Sequence, residues 1–242
     1  MRTWGVIIAR GNNKGLPDKH LRLLCGQPLI VYSIQAARQA RLLNELMLST
    51  DDQRIAALAE QHAVKVISRP AELADDTATV DAAVRQAVKT RETSTSPPPK
   101  IVVILYGNIP IRPAGLIDQA IEHLIQSGAD SVQSYSPVGK MHPDWMVQLA
   151  GDRVIPNCSQ AIYRRQDLRA MFIPNGAVIA VRYKSLFRQP AGPEDHHAFL
   201  GQDRRGFVPP QAEFIVDVDT LNDLLLAEAI SNNSSHLDLK QE

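Results

Sequence analysis

The residues best placed to do chemistry are cations near the amino terminus and carboxylates near the carboxyl terminus. Arg10, Lys14 and Lys19 share a short stretch with Gly11 and Gly15, directly after the apolar run Val6 to Ala9. A loop of this composition at a strand end suits a phosphate: glycine permits positive φ and close approach, so successive N–H groups can turn toward one anion. Lysine adds a compact point charge, and arginine a fork that grips two oxygens. The loop is neither a Walker A sequence nor G-x-G-x-x-G, and a solvated turn is its plain alternative. Near the other end, Asp217 and Asp219 stand two apart after Phe214-Ile215-Val216. Read as the end of a strand, that spacing sends both carboxylates the same way, and two hard oxygen donors suit a magnesium ion carrying phosphates. Alternatively, Asp219 or Thr220 caps the helix that follows.

Composition narrows the partners. The 242 residues suit one α/β domain with a modest insertion and suffice for a full core. Lys plus Arg and Asp plus Glu number 26 each, so no basic field draws the chain to nucleic acid or to a membrane surface. Small-molecule partners are expected. Cys25 and Cys158 form no disulfide framework and no metal-ligand spacing, which fits a reducing cytoplasm. The opening Met1-Arg2-Thr3-Trp4 has no signal-peptide pattern, and no apolar stretch approaches membrane-spanning length. A cytoplasmic location is the expectation.

The elements that must position these residues follow a strand, turn, helix, strand rhythm. Strands are expected at Val6 to Ala9, Leu46 to Asp52, Val64 to Ile67, Ile101 to Leu105, Ser131 to Tyr135, Ala177 to Val181 and Phe214 to Val216. Helices are expected from Leu29 to Ala40, Gln53 to His62, Val80 to Lys89, Gly115 to Gln126 and Leu221 to Ile230, with a polar, frayed tail beyond. This βαβ pattern implies a mostly parallel sheet covered by helices on both faces, with ligands at the carboxyl ends of its strands. Between Pro137 and Pro174 both periodicities weaken, while Met141, Trp145, Met146, Met171 and Phe172 leave apolar bulk without an obvious home. That segment is either an irregular loop or an arm that packs on another subunit, and the apolar bulk favours the arm.

Three segments carry a family resemblance. Ala9-Arg10 through Lys14-Gly15-Leu16-Pro17 and Lys19 resembles the A-R-x-x-S-K-G-L-P-x-K-N signature of the CMP-sialic acid synthetases, with Asn13 in place of Ser and His20 in place of Asn. Arg69-Pro70-Ala71-Glu72-Leu73-Ala74 with Asp76-Thr77-Ala78 is similar to the family's R-P-x-E-L-A-x-D-x-A, and Asp217-Val218-Asp219-Thr220 to its D-I-D-T. The resemblance implies a three-layer α/β/α Rossmann-like nucleotidyltransferase fold and transfer of CMP from CTP to the anomeric hydroxyl of a nonulosonic acid. It implies nucleotide contacts from Ala9, Arg10, Gly11, Asn13, Lys14, Lys19, Arg69 and Asp76, with Arg10, Lys14 and Lys19 serving catalysis. It also implies magnesium on Asp217 and Asp219, and a homodimer built on the arm, where His142-Pro143 sits.

The sugar-acid side matches less closely. Leu105-Tyr106-Gly107-Asn108-Ile109-Pro110-Ile111-Arg112 stands where the family reads L-Q-P-T-S-P-L-R, so Tyr106 replaces a substrate-contacting amide. Gly107-Asn108-Ile109-Pro110 also resembles the Q-G-D-E-P of the Kdo cytidylyltransferases. Arg164-Arg165-Gln166-Asp167-Leu168 and Phe172-Ile173-Pro174-Asn175-Gly176-Ala177 resemble segments that bring Arg165 and Asn175 to the substrate, although Ile173 lacks the family's Arg. Tyr106, Asn108, Arg112, Arg165 and Asn175 are therefore expected to bind the sugar acid. A Kdo-type enzyme and a non-catalytic homologue are the alternatives.

Overall fold

The computed structural model describes residues 1–12, 14–93, 96–158, 162–192 and 195–237. In chain order the elements begin with β1 (Thr3–Ile8), the two-residue ladder β2 (Leu23–Leu24) and β3 (Gln27–Pro28), α1 (Leu29–Gln39), β4 (Glu45–Thr50), α2 (Gln53–Gln61) and β5 (Lys65–Ser68). There follow α3 (Val80–Arg91), β6 (Ile101–Tyr106), α4 (Leu116–Ser127), β7 (Ser131–Pro137), and the strands β8 (Val147–Ala150) and β9 (Arg153–Pro156). The described chain closes with β10 (Phe172–Arg182), α5 (Tyr183–Leu186), β11 (Arg204–Phe207) and α6 (Leu221–Leu237).

Seven strands form one sheet in the order β11-β7-β10-β6-β1-β4-β5. All pair in parallel except β10, which runs against both β6 and β7. The central strand β6, Ile-Val-Val-Ile-Leu-Tyr, is β-branched and buried along nearly its whole length, as a strand covered on both faces must be. Its side chains alternate between two cores. Ile101, Val103 and Leu105 meet Ile30, Ile34, Ile55 and Leu124 on the side of α1, α2 and α4. Val102 and Ile104 meet Val84, Val88, Leu186 and Leu200 on the side of α3 and α5. The three-layer α/β/α architecture expected from the βαβ rhythm is thus the observed one.

Several local expectations need correction. Phe214 to Val216 is not a strand: Ala212–Phe214 is a turn of 3-10 helix, and no ladder includes the residues that follow. The edge strand β11 has no counterpart in the sequence reading, because Arg-Arg-Gly-Phe shows no apolar alternation. The arm contains an exposed hairpin, β8 with β9, around Gly151 at φ 67°. The helix α6 continues past Ile230 to Leu237, and residues 238–242 of the expected frayed tail lie outside the described residues.

Arg112 takes a place different from the one its motif suggested. Its guanidinium turns inward, donating from Nε to the Ala177 carbonyl at 2.8 Å, from Nη2 to that of Tyr106 at 2.7 Å and from Nη1 to Ser33 Oγ at 2.9 Å and to the Ile109 carbonyl. Burial lowers its pKa to about 9, so it remains charged at neutral pH. One side chain thereby ties the end of β6 to α1 and β10, which makes Arg112 a framework residue and not a substrate contact. Arg112→Ala is expected to cost about 3 kcal/mol or more in urea unfolding, because several enclosed carbonyls lose a charged donor. Arg112→Lys should recover little, since an ammonium cannot reproduce the planar fork.

Candidate active site

The loop after β1 is held by its own charges. Ala9 is buried and extends the β1 ladder by donating to the Ser49 carbonyl at 3.1 Å. Gly11 N–H then donates to Asp51 Oδ1 at 2.9 Å. Asp52, its neighbour, caps α2 through Arg54 N at 2.7 Å. Arg10 reaches the Asp75 carbonyl at 2.7 Å and Asp76 Oδ1 at 3.1 Å, while Lys14 Nζ lies 2.5 Å from Asp76 Oδ2. The hydrogen bond from Lys14 and the two positive charges hold the Asp76 carboxyl below its usual range. Neither Gly11 nor Gly15 has a positive φ. Gly15 is needed for close approach, since a Cβ there would lie 2.6 Å from the Asp219 carbonyl oxygen.

That contact brings the two ends of the chain together. Lys19 Nζ stands 2.5 Å from Asp219 Oδ1. Asn108 Nδ2 donates to Asp217 Oδ1 at 2.5 Å, to Asp219 Oδ1 at 3.2 Å and to the Val218 carbonyl at 3.1 Å. Burial and the neighbouring Asp219 charge push the Asp217 carboxyl up to about 6, against Lys19 and the Asn108 hydrogen bond. Thr220 does cap α6, as the alternative reading had it, in a reciprocal box: the Asp223 N–H donates to Thr220 Oγ1 at 3.3 Å, while the N–H groups of Asp219 and Thr220 donate to Asp223 Oδ2 at 3.1 and 2.7 Å.

These groups border a cleft of about 270 Å³ at the carboxyl ends of β1, β5 and β6. Arg10, Lys19, Arg69, Asp76, Tyr106, Asn108, Asp217 and Asp219 all line it, together with apolar Leu73 and Val80. Arg69 is buried, donates to Ser49 Oγ at 3.0 Å and to the Ser49 carbonyl at 2.8 Å, and has its pKa lowered to about 10 by burial. Tyr106 and Asp217 also border an adjoining pocket of about 120 Å³. Lys14 stands at the rim with its side chain largely exposed. Asn13 lies outside the described residues.

Besides Arg112, two expected substrate contacts line neither pocket. Arg165 is exposed in a 3-10 turn of the arm and lines neither pocket. Asn175 lies beside the smaller pocket, but its amide is committed to Ser134 Oγ, Ser136 Oγ and the Ala177 N–H. His20 was noted only as a departure from the motif, yet it is buried in the cleft wall with Nδ1 3.1 Å from the Arg10 carbonyl.

Comparison with known proteins fixes the family. A sequence model described as Cytidylyltransferase matches residues 4–165. The chain belongs to the cytidylyltransferase family. It is 28% identical over 224 residues to an N-acylneuraminate cytidylyltransferase of Streptococcus agalactiae, covering 91% of this chain and 51% of that protein. The chain therefore spans about half the length of that relative. It is 29% identical to the CMP-N,N'-diacetyllegionaminic acid synthase of Legionella pneumophila, covering 95% of this chain and 96% of the other. A solved structure of CMP:2-keto-3-deoxy-manno-octonic acid synthetase complexed with CTP superposes with a TM-score of 0.71 at 17% identity, over 97% of this chain and 100% of that one, and shows the same fold. Among the described residues of this cytidylyltransferase chain, no helix is long and apolar enough to cross a membrane.

The His20 ring gives this cytidylyltransferase chain a distinct acid sensitivity. Burial, with Lys19 nearby, lowers its pKa from 6.5 to about 3, so protonation favours the unfolded state. The stability contributed by the neutral ring is intact above pH 6.5 and is lost as pH falls toward 3. Between pH 7 and pH 5 that loss is about 2 kcal/mol. His20→Asn should flatten the stability slope over this range in denaturant titrations, and identical slopes would show that the ring does not titrate on unfolding.

Proposed function

We propose that this chain transfers CMP from CTP to the anomeric hydroxyl of a nonulosonic acid, releasing pyrophosphate, in the cytoplasmic synthesis of a cell-surface glycan precursor. The observation that carries the reading is the meeting of the amino-terminal cations and the carboxyl-terminal carboxylates around one cleft, through the Lys19 and Asp219 pair. The relatives named for acylneuraminate and legionaminic acid chemistry support the acceptor class. A Kdo-type acceptor is the second reading, favoured by the shared fold with the octonic acid synthetase.

Magnesium fits the donor set. Asp217 and Asp219 converge on a single amide nitrogen, and the raised pKa of Asp217 marks carboxylate charge that its protein neighbours leave incompletely compensated. Among the described residues, no group of three or more His, Cys, Asp or Glu side chains is arranged to hold a metal. Two carboxylates are nevertheless enough for an ion that keeps waters and phosphate oxygens as its remaining ligands. Magnesium, when held there, would polarise the α-phosphate and make the incoming hydroxyl more acidic. Arg10, Lys14 and Lys19 hold the β- and γ-phosphates and stabilise the charge that grows on the leaving pyrophosphate as the anomeric oxygen attacks in line. Arg69 and the apolar wall beside Leu73 hold the nucleoside. Neither Cys25 nor Cys158 lines the cleft, and the transfer uses no protein nucleophile.

The reading is tested by pyrophosphate release from CTP across a panel of acylneuraminic, legionaminic, pseudaminic and Kdo-type acids. Turnover of at least one nonulosonic acid is expected, with Lys19→Ala slower by about two decades or more. Turnover of Kdo alone would select the second reading, and no turnover by the wild type would leave a non-catalytic homologue.

We also infer a homodimer formed by the arm between residues 137 and 174. Its hairpin is exposed along its whole length, and Met141, Leu149 and Tyr163 are 76%, 70% and 95% exposed. Apolar bulk of this extent on one segment suits a partner surface, for which a stable interface needs about 800 Å² per subunit. Sedimentation at micromolar concentration should give a dimer, and Leu149→Asp should shift it toward monomer. A wild-type monomer under those conditions would refute the assignment.

A further inference from the structure

Gln133 is a residue that neither the motifs nor the family match singles out, and it occupies the small pocket beside the cleft. It lies on β7, paired across the sheet with Ile179 of β10 on one side and Gly206 of β11 on the other. The pocket forms where the β7 and β10 pairing shifts between Pro174 and Ile179, and it shares Tyr106 and Asp217 with the nucleotide cleft. A molecule seated in it is therefore next to the carboxylate pair and within reach of a bound nucleotide.

The polar groups available there are few. Ser134 Oγ is occupied by Asn175 Oδ1 at 2.6 Å and by the Val178 N–H at 3.2 Å. The Gln133 amide, in contrast, is braced at one end only. Tyr135 OH donates to its Oε1 at 3.1 Å. The Tyr135 ring lies against Gly206, where a Cβ would come within 2.7 Å of Cε2, so glycine is what lets the ring take that position. With Oε1 accepting from Tyr135, the outward group is the Nε2 amide. It makes no hydrogen bond to the described residues, and neither does the Tyr106 hydroxyl. Among the described residues, no cationic side chain lines this pocket.

We propose that Gln133 is a specificity-determining residue for the acceptor, its Nε2 group donating, beside the Tyr106 hydroxyl, to a carboxylate or acyl carbonyl oxygen of the sugar acid. This rests on the sugar-acid cytidylyltransferase reading above. A neutral donor pair suits this position: it orients an oxygen acceptor beside Asp217 without adding a cation that would compete for the carboxylate pair. The pocket is too small for a whole nine-carbon acid, so it takes one end of the molecule, while the rest extends toward the arm.

The test is steady-state pyrophosphate release with CTP and an acid that the wild type accepts, comparing Gln133→Ala, Gln133→Glu and Tyr135→Phe. Loss of one hydrogen bond should raise KM for the acid about tenfold in Gln133→Ala, with KM for CTP changed less than twofold. Gln133→Glu preserves shape and volume but exchanges the donor for a repelling carboxylate, so it should do at least as much. Tyr135→Phe, which frees the amide to swing, should give a smaller rise of about threefold. Comparison of N-acetylneuraminic acid with its deaminated counterpart identifies the oxygen: an equal penalty on both assigns the carboxylate, and a penalty confined to the acylated acid assigns the acyl carbonyl. An unchanged KM for the acid in both Gln133 variants would overturn the proposal while leaving the proposed activity intact, as would equal losses for acid and CTP. Failure of the wild type to use any sugar acid would overturn both.

Discussion

The cleft depends on a reciprocal pairing between Asn108 and Val218. The Asn108 carbonyl accepts from Val218 N–H at 3.0 Å, and its side-chain amide donates back to the Val218 carbonyl at 3.1 Å. No strand ladder supports the segment that carries Asp217 and Asp219, so this pairing fastens it to the end of β6. Packing works alongside it: Val216 and Val218 are buried with Leu16, Leu24, Leu29 and Ala227 in a small core of their own. Because alternate residues of this extended segment point inward, Asp217 and Asp219 are left to face the cleft. Their placement is thus set by two buried valines and one asparagine more than by the carboxylates themselves.

A second constraint is electrostatic. The chain carries equal numbers of cations and anions, and the loop repeats that balance locally: Arg10 and Lys14 are paired with Asp76, and Lys19 with Asp219. The Asp76 pairs are solvated, a setting in which an ion pair contributes little net stability. On the proposed reading, a triphosphate would therefore replace the Asp76 carboxylate at Arg10 and Lys14 with little net cost. What the existing pairs supply is preorganisation, since Arg10 and Lys19 already line the cleft that the proposed nucleotide would enter. Arg69 differs in being buried against Ser49, and its position does not depend on such an exchange.

Much of this was legible in the sequence wherever local pattern and tertiary environment agree. The apolar runs of β1, β4 and β6 gave the parallel core, and the polar residues after β4 gave the cap of α2. The paired aspartates illustrate a sound inference reached by a faulty route. Phe214-Ile215-Val216 suggested a strand, and the alternation does hold, but the backbone is extended and anchored by its own small core instead of joining the sheet. Arg112 misled for the opposite reason: its motif position implies a ligand contact, whereas three carbonyls and a hydroxyl enclose its guanidinium. Sequence carries no mark of whether an arginine faces a cavity or the backbone behind it.

The acceptor side was harder to read for a physical reason. The half that carries the larger cleft is built from consecutive βα units, whose short-range periodicity survives in the sequence. The smaller pocket instead arises where β10 runs antiparallel between β6 and β7 after the long excursion of the arm, and where its register with β7 shifts. Gly176, at φ 68°, lies in that shift, and a Cβ on it would come within 2.9 Å of both Tyr106 and Ile109. The shape of the pocket therefore follows from pairings between residues 39 or more positions apart. Such pairings leave no local signature, so substitutions at Tyr106, Gln133 or the Gly176 turn can alter this pocket while the phosphate loop and the carboxylate pair stay in place.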